Sequence, residues 1–182
     1  MKQVCVQLAT GFEEIEAISI IDVLRRAEIP VITVSITEKL EVTGSHQIPI
    51  IADQLFDEID FNEVEMIILP GGMPGSANLN SHKELRQQIL NFHKNKKLLG
   101  AICAAPMVFG ELGILKGKKA SCYPGFEKYL KGATITGNSI SISENIITAK
   151  GAGVALQFAF KIVEMLKGKE LSESLKDKMI VQ

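Results

Sequence analysis

Apolar positions follow two different periods along this chain. Short runs rich in β-branched residues, Val4 to Leu8, Val31 to Ile36, Met66 to Leu69 and Lys97 to Ile102, read as strands. The third and fourth are nearly unbroken, which is the pattern of strands buried on both faces in a parallel sheet. Helical spacing fills the intervals. Glu13 to Glu28 places Ile15, Ile18, Ile21 and Leu24 along one face before Pro30 ends the helix. Lys83 to Lys94, with Asn80 or Ser81 as N-cap, and Ala104 to Leu112 read as further helices, as do Val154 to Leu166 and Leu171 to Lys178. Gly44 and Pro49 interrupt Leu40 to Ala52, which therefore suits edge strands or a hairpin. Short strands are expected at Ala120 to Tyr123, Thr134 to Thr136, Ser139 to Ser143 and Ile146 to Thr148, with turns at Gly137-Asn138 and Glu144-Asn145. Repeated β-then-α units predict an α/β fold: a mostly parallel sheet with helices on both faces.

Composition narrows the class without changing that picture. With 182 residues, 46% hydrophobic and 23% charged, residues 1–182 read as one globular domain, and disorder and fibre are excluded. A net charge of −1, with short basic clusters such as Lys94, Lys96 and Lys97 and no interleaved aromatics, argues against a nucleic-acid partner. No apolar run approaches the roughly 18 residues a membrane helix needs. Glu13, Glu14 and Glu16 follow the first apolar stretch with no cleavage site of signal-peptide type, so a cytoplasmic location is expected. Three widely spaced cysteines, Cys5, Cys103 and Cys122, fit neither a disulfide framework nor a zinc site, and no metal or organic cofactor is expected.

Ligand sites in such sheets lie beyond the carboxyl ends of the strands. Four segments occupy those places: Gly11 to Glu16, Pro70 to Gly75, Cys103 to Pro106 and Gly151 to Gly153. Cys103 stands between a strand and a helix with small neighbours Ala101, Ala104 and Ala105, which resembles a nucleophile elbow. An adjacent helix N-terminus lowers a thiol pKa and burial raises it. Gly71 and Gly72 can turn backbone N–H groups toward an oxyanion above the sheet. Two of Glu13, Glu14 and Glu16 are assigned only to the helix dipole. One of the three, pointing back toward Cys103, would move protons there. All three histidines, His46, His82 and His93, are assigned to the surface, and Cys5 to the core.

Taken together, Gly11-Phe12-Glu13-Glu14-Ile15-Glu16-Ala17, Asp22 to Ala27, Leu69-Pro70-Gly71-Gly72, Ala101-Ile102-Cys103-Ala104-Ala105-Pro106 and Gly151-Ala152-Gly153 resemble the ThiJ/PfpI superfamily, in its Parkinson-associated deglycase (DJ-one) branch. The resemblance implies a flavodoxin-like three-layer sandwich, class I glutamine amidotransferase-like. It also implies a cofactor-independent glyoxalase or deglycase acting on a small aldehyde, or a redox sensor or chaperone working through oxidation of Cys103. By position, Cys103 is similar to the family's reactive cysteine and Glu16 to its protonated glutamate, with Gly72 and Ala104 as backbone donors beside the sulfur. A homodimer is implied, with Arg26 near both its interface and the cysteine pocket. The chain departs from the pattern at Tyr123, which precedes the matching Pro124 and stands where a relative has histidine, and at His46, where that relative has arginine. The first departure removes a proton-shuttling group. Ala104 after the cysteine, and the lack of a downstream histidine and glutamate pair, disfavour peptidase and amidotransferase activity.

Overall fold

The computed structural model describes residues 2–181; the two terminal positions of the expected domain, Met1 and Gln182, lie outside them. Its elements run β1 (Gln3–Leu8), α1 (Glu14–Arg26), β2 (Val31–Ser35), β3 (Glu41–Thr43), β4 (Pro49–Ile51), β5 (Gln54–Leu55), β6 (Val64–Leu69), α2 (Gly75–Ser81), α3 (Lys83–Lys94) and β7 (Leu98–Ile102). Then come α4 (Pro106–Glu111), β8 (Lys119–Ala120), β9 (Thr134–Ile135), β10 (Ile140–Ser143), β11 (Ile146–Ala149), α5 (Ala155–Lys167) and α6 (Lys169–Lys178).

Seven strands form one sheet in the order β10-β11-β7-β6-β1-β2-β5, parallel throughout except for the antiparallel β10–β11 hairpin. From β1 the chain steps to β2 on one side, and β6 then joins β1 on the other. Strand order therefore reverses between β1 and β6, and the crevice that such a reversal opens lies at their carboxyl ends. Leu40 to Ala52, expected as edge strands or a hairpin, forms the separate antiparallel pair β3–β4. The segment expected as a strand from Ala120 to Tyr123 pairs only at Lys119–Ala120, with β9, because Ser121 instead hydrogen-bonds the Thr148 hydroxyl and Ser141.

The sheet separates two apolar cores. Met66 and Ile68 of β6 point into the one covered by α1 and α5, while Ile67 and Leu69 point into the one covered by α2, α3 and α4. Burial on both faces explains why β6 and β7 read as continuous apolar runs.

Helical details also differ from the sequence reading. In α1 the buried stripe is Ala17, Ile20, Ile21, Val23 and Leu24, whereas Ile15 and Ile18 are 59% and 48% exposed. The helix has apolar residues on two sides, and periodicity alone could not say which side meets the sheet. The N-cap of α3 is neither Asn80 nor Ser81, both of which fall inside α2; it is His82, whose Nδ1 accepts from the Leu85 N–H at 3.1 Å. That bond and a ring contact with Phe56 at 4.6 Å leave His82 half-buried rather than on the surface.

Candidate active site

Three chain segments meet over the crevice. At the end of β7, Cys103 has φ of 63°, the left-handed region that a non-glycine residue enters only when its surroundings hold it there. Both its backbone groups are tied to neighbours: its N–H donates to the Ala149 carbonyl at 2.9 Å, and its carbonyl accepts from the Tyr123 N–H at 2.7 Å. This is the sharp strand-to-helix turn expected from the sequence. Helix α4 itself starts three residues later, at Pro106, rather than at Ala104.

The second segment is the loop after β6. A Cβ on Gly71 would lie 2.5 Å from the Cys103 Cβ and 2.7 Å from Glu16 Oε2, so no side chain fits there. Gly72 has φ of +88°, and a Cβ there would stand 2.5 Å from the Glu13 amide nitrogen. Glycine at both positions lets the loop pass between the thiol and the first helix. It also turns the Gly72 N–H, together with that of Ala104, toward the Cys103 sulfur, where both favour the thiolate.

The first turn of α1 supplies the third segment. Glu16 is fully buried. Its Oε2 accepts from the Gly71 N–H at 2.8 Å. Its Oε1 has no hydrogen-bond partner of ordinary geometry, yet faces the Cys103 thiol closely enough for each group to bias the other's proton. Burial pushes the Glu16 carboxyl up to about 7, against the lowering effect of the Gly71 N–H and the thiol. Burial also pushes the Cys103 thiol up to about 12, and the Glu16 charge adds to this. Of the two opposing influences read from the sequence, burial wins, because desolvation of a thiolate exceeds what two backbone donors return. Near neutral pH the sulfur keeps its proton, and the carboxyl is the group that exchanges one.

The neighbouring acids do more than oppose the helix dipole. Glu13 is the N-cap of α1, accepting from the Glu16 N–H at 2.7 Å. Glu14 is 5% exposed and accepts from the His46 N–H at 2.6 Å, His46 Nδ1 at 2.8 Å and the Ser45 hydroxyl at 3.2 Å, which fastens the β3–β4 turn to the start of α1. Despite the cost of burial, these bonds hold Glu14 down to about 2, and the same contact raises His46, whose side chain is mostly exposed. Glu13, Glu14 and His46 also bring one ligand-type atom each within 4.8 Å of the others, but the Glu14 oxygens are already engaged by the turn.

The remaining sequence candidates separate here. Tyr123 and Pro124 line a recess of about 310 Å³ with Lys150 and Gly151 through Val154, directly beside the thiol. Arg26 does not come to the pocket within this chain. It is the last residue of α1, ten residues and roughly 15 Å along the helix from Glu16, and is ion-paired with Asp22 at 2.6 Å. Lys150 and Val154 were not singled out in the sequence; the position of Lys150 directly after β11 was the available signal. Among the described residues no helix is long and apolar enough to cross a membrane.

Known proteins share both sequence and architecture with this chain. Drosophila melanogaster dj-1beta is 31% identical, over 99% of this chain and 97% of its own length. The glutathione-independent glyoxalase DJR-1.2 of Caenorhabditis elegans is 34% identical, over 90% of this chain and 87% of its own. DJ-1 homolog B of Arabidopsis thaliana is 38% identical over 92% of this chain, although the chain spans only 39% of that protein and 47% of the related homolog A. A solved structure of oxidised Toxoplasma gondii DJ-1 superposes with a TM-score of 0.94 at 32% identity, covering 99% of this chain and 98% of its own. The central parallel sheet flanked by helices is thus the flavodoxin-like, class I glutamine amidotransferase-like sandwich that the resemblance implied. A family model matches residues 2–165, and on that match, with full-length relatives above 30% identity, the chain belongs to the DJ-1/PfpI family.

Proposed function

We propose that residues 1–182 act as one cytoplasmic, cofactor-independent domain that converts small α-oxoaldehydes to 2-hydroxy acids. The observation that carries this reading is the buried, half-partnered Glu16 carboxyl facing the Cys103 thiol. Glu16 as carboxylate takes the thiol proton, and the sulfur adds to the aldehyde carbon to give a hemithioacetal. The Gly72 and Ala104 N–H groups face the new oxyanion, an arrangement worth about 3 to 4 kcal/mol per donor where it has been measured. Glu16 then carries the proton from the former aldehyde carbon to the adjacent carbon through an enediol. The aldehyde carbon is oxidised, its neighbour reduced, and the resulting thioester is hydrolysed by water to the hydroxy acid and free thiol. No outside oxidant is needed. The relative from C. elegans whose name states such an activity adds support.

A second reading, a redox sensor or chaperone, draws on the same site. Oxidation of the sulfur to sulfinate would give the protonated Glu16 carboxyl and the two N–H groups new oxygens to donate to, and a neighbouring structure is of an oxidised DJ-1. A homodimer fits either reading. Ile15 and Ile18 on α1 and Ile48 on the turn fastened to Glu14 are 59%, 48% and 56% exposed, an apolar face suited to a second copy.

Methylglyoxal consumption with lactate analysis tests the enzyme. Repeated turnover that is lost in both Cys103→Ser and Glu16→Gln supports it. A protein that forms no product and gains two oxygens at Cys103 under peroxide is the sensor instead, and turnover surviving Cys103→Ser refutes the catalytic use of the thiol.

A further inference from the structure

The aldehyde end of a substrate is accounted for by sulfur, carboxyl and two amides; what surrounds the rest of the molecule is a different matter. The position a Cβ on Gly151 would occupy lies 3.3 Å from Tyr123 Cδ2, 3.9 Å from Cys103 Sγ and 3.9 Å from Glu16 Oε1. Glycine leaves that point empty. Anything bonded to the sulfur and reaching past Gly151 therefore meets the Tyr123 ring first.

The ring is held rather than loose. The Tyr123 N–H is bonded to the Cys103 carbonyl at 2.7 Å, so the ring's root and the nucleophile's root share one hydrogen bond. Phe126 meets it edge-on, with centroids 6.4 Å apart and planes at 76°. Even so, Tyr123 is 50% exposed, which leaves a free aromatic surface toward the recess. Pro124, Val154 and the backbone of Gly151 to Gly153 complete walls around about 310 Å³. Among the described residues, Lys150 is the one charged group on those walls, and its ammonium is turned to the Gly137 carbonyl at 2.5 Å. A charged substituent would find no free countercharge there. A flat apolar one would gain a stacking face next to the reacting sulfur.

From this geometry we propose that the substrate's remaining group, on the keto carbon, is apolar and preferably aromatic, and that Tyr123 is the residue that selects it. The inference deepens the oxoaldehyde reading and rests on it for the substrate, though not for the shape of the recess.

The test compares phenylglyoxal with methylglyoxal, which differ only in phenyl against methyl on the keto carbon. Their intrinsic reactivities cancel when the ratio of kcat/KM values is compared between protein variants. The ratio should fall about tenfold in Tyr123→Ala, the size of effect an apolar contact commonly has on specificity. Tyr123→Phe should keep it, since the ring and not the hydroxyl is invoked. An unchanged ratio in Tyr123→Ala, or an equal loss in Tyr123→Phe, overturns the proposal without bearing on the oxoaldehyde reading. If neither aldehyde is consumed, the oxoaldehyde reading fails by itself. The selectivity of the recess is then read from alkylation of Cys103 by 2-bromoacetophenone against bromoacetone in the Cys5→Ser, Cys122→Ser background. A phenyl-to-methyl rate ratio that Tyr123→Ala lowers supports the aromatic recess, and a ratio unchanged in Tyr123→Ala refutes it.

Discussion

Replacing Glu16 by glutamine should stabilise the protein above neutral pH. The carboxyl is fully buried and its pKa is raised from 4.5 to about 7. In the folded protein it therefore keeps its proton over a pH range in which the unfolded chain has already released it. The sign follows from proton counting: between 4.5 and about 7 the folded state binds more protons, so stability falls as pH rises through that window. Below pH 4.5 both states are protonated and there is no penalty. Above pH 7 the penalty is complete, and the difference in pKa converts to about 3 kcal/mol. At pH 5 it is still under about 1 kcal/mol. Glutamine keeps the geometry, because its carbonyl can accept from the Gly71 N–H as Oε2 does at 2.8 Å, while its NH2 faces the sulfur with no charge to desolvate. The assay is urea denaturation of Cys103→Ser and Cys103→Ser/Glu16→Gln at pH 5 and pH 8, a background that keeps the thiol proton out of the difference. The glutamine variant should gain about 3 kcal/mol at pH 8, roughly 6 to 12 °C in Tm for a chain of this size, and little at pH 5. A gain that does not vary with pH, or a loss at pH 8, would refute the buried-carboxylate argument.

Other outcomes follow from the same geometry. In the proposed reaction Glu16 must ionise to accept the thiol proton, so methylglyoxal turnover should rise with pH through about 7; a rate that falls over pH 6 to 8 would show that the carboxyl acts only as an acid. Gly71→Ala forces a methyl to within 2.5 Å of the Cys103 Cβ and should cost about 1 to 3 kcal/mol in urea denaturation, with altered Cys103 alkylation. Glu14→Ala strips the acceptor from the His46 and Ser45 donors and should cost about 1 to 3 kcal/mol at pH 7. That contribution is present above the ordinary carboxylate pKa and lost as pH falls toward about 2, and faster amide exchange at His46 would locate it. Ile15→Glu with Ile18→Glu should leave the fold intact and shift sedimentation from dimer to monomer; an unchanged dimer would place the interface elsewhere.

Much of this architecture could be read from the chain because its central strands are buried on both faces. The runs at Met66 to Leu69 and Lys97 to Ile102 have no polar side to hide, and the small residues around Cys103 mark the turn that follows. What the sequence concealed depended on partners distant along the chain. Ile15 and Ile18 are as apolar as Ile20 and Leu24, and only the packing of α1 on the sheet distinguishes them. Helix α2, Gly-Ser-Ala-Asn-Leu-Asn-Ser, has weak helix formers at all but Ala77 and Leu79 and is short, so its existence is a tertiary outcome. Glu14 looks like any acid in a first turn until the hairpin, 31 to 34 residues later, folds back onto it. The thiol pKa was undecidable for a similar reason, since how deeply Cys103 is desolvated is set by Gly71, Glu16 and Gly151 together.

The two layers that flank the sheet meet in the chemistry at only one place. Glu16 rides on a helix anchored in one core, and Cys103 opens into a helix anchored in the other. In the proposed reaction neither group acts without its counterpart across the sheet's edge, so that chemistry would be a logical conjunction of the two packings. A small slippage of either layer, too slight to change the helical signal, would already separate sulfur from carboxyl. Loss of activity on warming should therefore precede loss of secondary structure, and the gap between the two temperatures would measure how tightly each layer is docked.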